Sequence, residues 1–349
     1  MASTTSNRDR ANRPIHLDLE FRACSDDFCF KDTNLLHCSA CKVVLYCGRE
    51  HQKQHRPIHK SSCKLIKDAR AKYDRERAAL ENHQGDAMMP TNPFESCVGH
   101  FWGVFETRDF MRSYYDLMMA TLNIRTGEAV EAALGYGLDM LRLCRGDNMD
   151  VRSMIPAIYL RLGQGQEAWD FLKWWAVVSG SYDWGDVEQP YLNFHNEDAF
   201  EDYLAFGSRE INLSFVVAAT NLKARLALDL DGLQRFKEEN PSADYDAKIG
   251  WLRKYEMSNV IPGRRDIVER GDYKNLAADL HAQVRKLWDR VNTLNKHYWP
   301  ALHSPESYSH AVPMAYTKGS REEVMNAFRY TWYMWAECDP AFEYIKTIG

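Results

Sequence analysis

Residues 24–63 constrain this chain more than any other stretch. They read CSDDFCFKDTNLLHCSACKVVLYCGREHQKQHRPIHKSSC and hold six of the nine cysteines, with His37, His51, His55 and His59. Thiolates and imidazoles packed this closely are the ligand set of zinc. A polar segment of this length cannot bury enough apolar surface to fold by itself. Structural zinc supplies what is missing, about 10–16 kcal/mol per site at neutral pH.

The spacings favour chelation. Cys38-x2-Cys41 is a knuckle, whose tight turn aims two sulfurs at one metal. Cys47 and His51 are four residues apart, as are His59 and Cys63, which is about one helical turn. Pro57 suits the first turn of a second helix, where its missing N–H costs little. Lys42–Tyr46 is a short strand-like run fit for a small hairpin. His37 adjoins Cys38 and has no chelating spacing of its own.

Spacing leaves two ligand arrangements open. A sequential scheme gives one site of four cysteines, formally −2, and a neutral site of two cysteines and two histidines. An interleaved scheme gives two sites of three cysteines and one histidine, each formally −1. The more even charge leans toward the second.

The segment resembles the MYND-type zinc fingers. The resemblance rests on Cys24-x4-Cys29, Cys38-x2-Cys41, Tyr46-Cys47-x3-His51-Gln52-x2-His55 and His59-Lys60-x2-Cys63. It covers about a ninth of the chain. Three features depart from the family pattern. The first pair is spaced by four residues where two is usual, His51 stands where cysteine is usual, and Arg56 replaces a tryptophan. Imidazole serves zinc as well as thiolate does. The resemblance implies a cross-brace, with Cys24, Cys29, Cys47 and His51 on one zinc and Cys38, Cys41, His59 and Cys63 on the other. It implies two structural zinc ions, with His55 as a non-ligand. It also implies a proline-containing peptide of a partner protein as the finger's ligand. Physically, such a peptide is expected to add to the hairpin edge around Val43–Tyr46.

The remainder reads as helix after helix. A polar tail is expected over 1–14, the finger over 15–67, a helix and linker over 68–96, and an all-α domain over 97–349. Gly85, Pro90 and Pro93 mark the boundary. Helices are expected at 109–124, 128–144, 149–163, 163–178, 197–207, 209–228, 243–256, 264–269 and 272–296. A capping box at Ser320-x-x-Glu323 opens another. YLRLGQ followed by EAWDFL has the grammar of a tetratricopeptide (TPR)-like repeat, with Ala129 and Ala168 at matching places. The fold class is therefore a small two-zinc cross-brace finger plus an all-α, TPR-like helical-repeat domain.

Other conspicuous residues have plainer readings. Trp169, Trp174 and Trp175 suit core packing. Cys97, Cys144 and Cys338 suit buried free thiols, and so a reducing compartment. His195 reads as part of a capping segment, and Asp183, Asp186 and Glu188 form an acidic loop without ligand spacing.

H-E-x-x-H, Walker A and G-x-S-x-G motifs are absent, and no catalytic residue or organic cofactor is assigned. SET-domain methyltransferases with an inserted MYND finger would carry an Asn-His-Ser-Cys-like motif and a β-rich fold. Asn193-Phe194-His195-Asn196 is a poor match. The reading is thus an interaction protein in nucleus or cytoplasm, not an enzyme, with the helices offering a second partner surface. A SET-type methyltransferase-related enzyme and a DNA-binding regulator are the alternatives. Residues 1–67 carry 12 Lys/Arg against 7 Asp/Glu, about +3 once two zinc sites are filled, too little to indicate nucleic acid. No apolar run suggests a membrane span.

Overall fold

A computed structural model describes residues 19, 23–26, 29, 31–207, 212–308, 313 and 315–348. The tail expected over 1–14 lies outside the described residues. The chain forms two compact units, one of Leu19–Arg152 with Trp184–Gln189, the other of Ser153–Asp183 with Pro190–Gly349. The stretch read as a boundary, 84–96, falls within the first.

In the first unit, β1 (Leu36–His37) pairs antiparallel with β2 (Leu45–Tyr46), with Leu36 opposite Tyr46. These are the only strands among the described residues. Then follow α1 (Arg49–Glu81), α2 (Pro93–Ser96), α3 (Arg108–Leu122) and α4 (Gly127–Leu143). Helix α1 buries His59, Ile66, Tyr73 and Leu80, a stripe with a seven-residue period. Tyr73 packs against Phe110 and Tyr114 of α3, with ring centroids 5.4 and 4.7 Å away. The Arg70 guanidinium donates to the Tyr136 hydroxyl at 2.8 Å, tying α1 to α4.

Pro57 does not begin a second helix; it lies inside α1. Its ring removes the N–H that would bond the carbonyl of Lys53. The helix continues because His51 before it, and His59 and Cys63 after it, are each gathered into a ligand cluster described below.

The second unit contains α5 (Ile155–Arg161), α6 (Gly165–Val177), α7 (Leu213–Glu239), α8 (Tyr245–Tyr255), α9 (Arg265–Val268) and α10 (Lys274–Leu294). Helices α11 (Tyr298–His303), α12 (Arg321–Ala336) and α13 (Asp339–Lys346) complete it. Helix α7 is the hub. Every residue from Leu213 to Ala227 is buried, so no amphipathic period marks its limits. Most of the polar side chains it buries find partners, though among the described residues Asn221 Oδ1 and Arg225 Nε do not. Arg225 donates to the carbonyls of Leu160 at 2.6 Å and Met334 at 2.7 Å, in the last turns of α5 and α12. Carbonyls in a last helical turn lack the usual i+4 donor; that of Leu160 also accepts from the Gly163 N–H at 3.1 Å.

Gly163, with φ +73°, turns the chain between α5 and α6. The N–H of Gln164 donates back to the Tyr159 carbonyl, which ends α5. Ser320 caps α12, its hydroxyl accepting from the Glu323 N–H. The Glu323 carboxylate reaches back to the Gly319 N–H at 2.7 Å, one residue before the usual partner.

Residues 197–207 are not a helix; only a 3₁₀ turn forms at Tyr203–Phe206. Side chains take up this loop's backbone instead. Asp170 accepts from the N–H groups of Asn196 and Glu197, and Lys223 donates to the carbonyls of Ala199 and Glu201.

Trp169, Trp174 and Trp175 are fully buried, and Cys97, Cys144 and Cys338 are buried free thiols. No helix among the described residues is long and apolar enough to cross a membrane.

Arg161 and Glu337 form a doubly bonded ion pair at 2.8 and 2.9 Å, both almost wholly buried. Removing one partner strands the other charge. Glu337→Ala should cost about 3–5 kcal/mol of stability, measured by urea unfolding.

Candidate metal centre

Four elements supply eight ligand atoms. Cys24 and Cys29 precede the hairpin, Cys38 and Cys41 sit on the knuckle after β1, Cys47 follows β2, and α1 carries His51, His59 and Cys63. The knuckle is closed by Lys42, whose φ of +64° lets its N–H reach the Cys38 carbonyl at 2.9 Å.

The eight atoms gather as two groups. Cys24, Cys29, Cys47 and His51 form one, and Cys38, Cys41, His59 and Cys63 the other, with ligand atoms within 4.8 Å of one another. The first and third sequence pairs combine, as do the second and fourth. This is the interleaved arrangement, a cross-brace.

The edges fit tetrahedral zinc. Bonds of about 2.3 Å to sulfur and about 2.0 Å to nitrogen give S···S edges of about 3.8 Å and S···N edges of about 3.5 Å. In the first cluster Cys29 Sγ lies 3.6 Å from Cys47 Sγ. His51 Nδ1 there lies 3.5 Å from Cys24 Sγ and 3.2 Å from Cys47 Sγ. In the second, Cys38 Sγ lies 3.7 Å from Cys63 Sγ, and Cys41 Sγ 3.5 Å from His59 Nε2. Both clusters are thus suited to zinc, and with four protein ligands each they leave no open position for substrate or water.

Burial favours the uncharged form of Cys41 and of His59. It pushes the Cys41 thiol up to about 12, so binding must draw out this proton. It pushes the His59 imidazole down from 6.5 to about 4, which keeps the ring in its metal-binding form.

His55 joins neither cluster. It lies between them on α1, its Nδ1 2.9 Å from the Tyr46 hydroxyl and its ring stacked on His59 at 5.5 Å. His55 therefore braces a ligand histidine and the second strand. Arg56, at the position where the family pattern has tryptophan, is exposed.

The hairpin edge is not open as expected. The carbonyls of Val43, Val44 and Leu45 accept from the Thr126 hydroxyl, the Cys38 N–H and the Ser25 N–H, at 2.7, 2.8 and 2.8 Å. A peptide strand would find these three acceptors already engaged. Thr126 is also the N-cap of α4, accepting from the Ala129 N–H, so one side chain joins the knuckle to that helix. Beside it a cleft of about 290 Å³ opens, with apolar walls of Val44, Ile58 and Ile124 and polar rims of His55, Ser62 and Asn123. Its walls come from three distant parts of the sequence, so no local pattern announces it.

Comparisons agree with this geometry. A family model described as MYND finger matches residues 24–63, and these residues are a MYND zinc finger followed by an all-helical region. A histone-lysine N-methyltransferase of Arabidopsis thaliana, ASHR1, is 50% identical over 40 residues, 12% of this chain and 8% of that protein. The human histone-lysine N-methyltransferase SMYD3 is 26% identical over 126 residues, 36% of this chain and 26% of that protein. The chain thus spans well under two thirds of either curated relative. No solved structure matches it. These names overturn the expectation that the chain is not an enzyme.

Two predictions follow from the clusters. Cys47→Ala should lower bound zinc below two per chain and unfold residues 24–63, as read by atomic absorption and amide exchange. Acid should act through His59. Its pKa is lower in the folded chain, so the unfolded chain takes up the proton first as pH falls. Finger stability should therefore decline below about pH 6.5, with zinc release followed by a chromogenic chelator.

Proposed function

We propose that this chain is related in function to SET-type histone-lysine methyltransferases, and that its finger brings a protein partner or substrate to it. In this reading Cys24, Cys29, Cys47 and His51 hold one structural zinc, and Cys38, Cys41, His59 and Cys63 hold the other. The observation that carries the partner role is the cleft lined by Val44, Ile58 and Ile124. The zinc clusters hold two of its walls, the knuckle loop and the first turns of α1. Ile58 is 69% exposed beside it among the described residues, an apolar side chain placed to anchor a partner.

The occupant is a short extended segment, proline-containing, whose rings fill apolar hollows while His55, Ser62 and Asn123 meet its backbone. Proline pre-organises such a segment and lowers the cost of ordering it. The helices over 97–349 act as a TPR-like stack with a second partner surface. The protein works in the nucleus or cytoplasm.

The methyl-transfer part of the reading is supported by the two relatives' names. Zinc has no role in that chemistry, because both coordination spheres are filled.

Calorimetry should register S-adenosylmethionine binding to the full chain, with labelled methyl groups passing to histone lysines. Absence of both would remove the enzymatic reading and leave the partner reading standing. Ile58→Asp should weaken capture of a proline-rich peptide about tenfold, about 1.4 kcal/mol, with zinc still at two per chain. Unchanged affinity would place the peptide elsewhere.

A further inference from the structure

The charge on the first five turns of α1 is not spread around the helix. Arg49, Lys53, Arg56, Lys60, Lys64 and Lys67 follow one another at spacings of four, three, four, four and three residues. At 3.6 residues per turn these positions fall within about 80° of arc. No acidic or apolar residue between 49 and 67 shares that arc. All six side chains are exposed. Lys53 meets Glu50 at 3.5 Å in a pair that is largely solvated. Among the described residues the other five have no carboxylate partner. The result is an unbroken cationic stripe, about 27 Å long by helical rise.

A net charge near +3 for residues 1–67 conceals this, because net charge ignores position. Of the seven acids in that segment only Glu50 lies on α1, and it falls outside the arc.

We propose that this stripe docks the phosphate backbone of duplex DNA, without reading its sequence. Charge complementarity and the make-up of the stripe favour this occupant. A row of cations one helical turn apart matches a regular row of phosphates. Four of the six are lysines, point charges that neutralise phosphate without a demanding geometry. A protein partner would ordinarily use an apolar or aromatic anchor at the centre of its contact, and the arc offers none. The stripe also faces away from Ile58 and Leu65, which lie about 150° around α1. DNA and a peptide in the cleft can therefore be held together. The proposal is independent of the peptide and methyl-transfer readings.

The test uses the zinc-loaded full chain and a fluorescent duplex of mixed sequence. Neutralising about five phosphates gives a slope of log affinity against log salt near −4.5, or about 500-fold weaker binding at 200 than at 50 mM salt. The double variant Lys60→Ala/Lys64→Ala should lower that slope by about 2 while retaining two zinc ions per chain. Leu65→Ala, off the stripe, should leave the slope unchanged. A slope shallower than about −1, or one unaltered in the double variant, overturns the proposal. So does preference for phosphatidylserine vesicles or polyglutamate over the duplex.

Discussion

Two metal clusters hold the first unit's business end together. Their eight ligands come from four sequence pairs, and each cluster joins pairs that are not neighbours in the chain. That interleaving matters more than the number of ligands. A sequential pairing would pin two small loops independently. The interleaved one ties the residues before the hairpin to α1, and the knuckle to α1 a little farther along. The helix can then run through Pro57, and His55 can sit between the clusters, touching Tyr46 and His59. The cleft beside Ile58 depends on the same bracing.

The Cys/His clusters were legible in the sequence because chelation demands fixed spacings, and few other constraints produce them. Which pairs cluster together came from the family resemblance, with a lean from charge, since spacing within a pair says nothing of the distance between pairs. The helical character of the rest was legible too, from periodic apolar residues in α3, α4 and α10. It fails where periodicity fails. Helix α7 is buried all round from Leu213 to Ala227, so its extent to Glu239 is not written in an amphipathic pattern. The loop at 197–207 looks helical by composition, yet Asp170 and Lys223 offer its backbone better partners than its own turns do.

Long-range features were the least legible. The Val43 carbonyl, near the start of its strand-like run, accepts from a hydroxyl 83 residues away, that of Thr126. This bond closes the edge that the hairpin alone would leave open for a peptide. The cationic stripe on α1 needs the helix register before it can be seen, because the same residues average to a modest net charge. The exclusion of catalysis failed for a different reason. Motif absence weighs little beside relatives named as histone-lysine N-methyltransferases, even where the shared length is short.

Interleaving itself is open to direct measurement. Cadmium can replace zinc in thiolate and imidazole sites, and its NMR shift reports how many sulfurs surround each ion. Two interleaved sites, each of three sulfurs and one nitrogen, require two resonances close together in the intermediate range. A widely separated pair, one from four sulfurs and one from two sulfurs and two nitrogens, would contradict the cross-brace and the cleft built upon it.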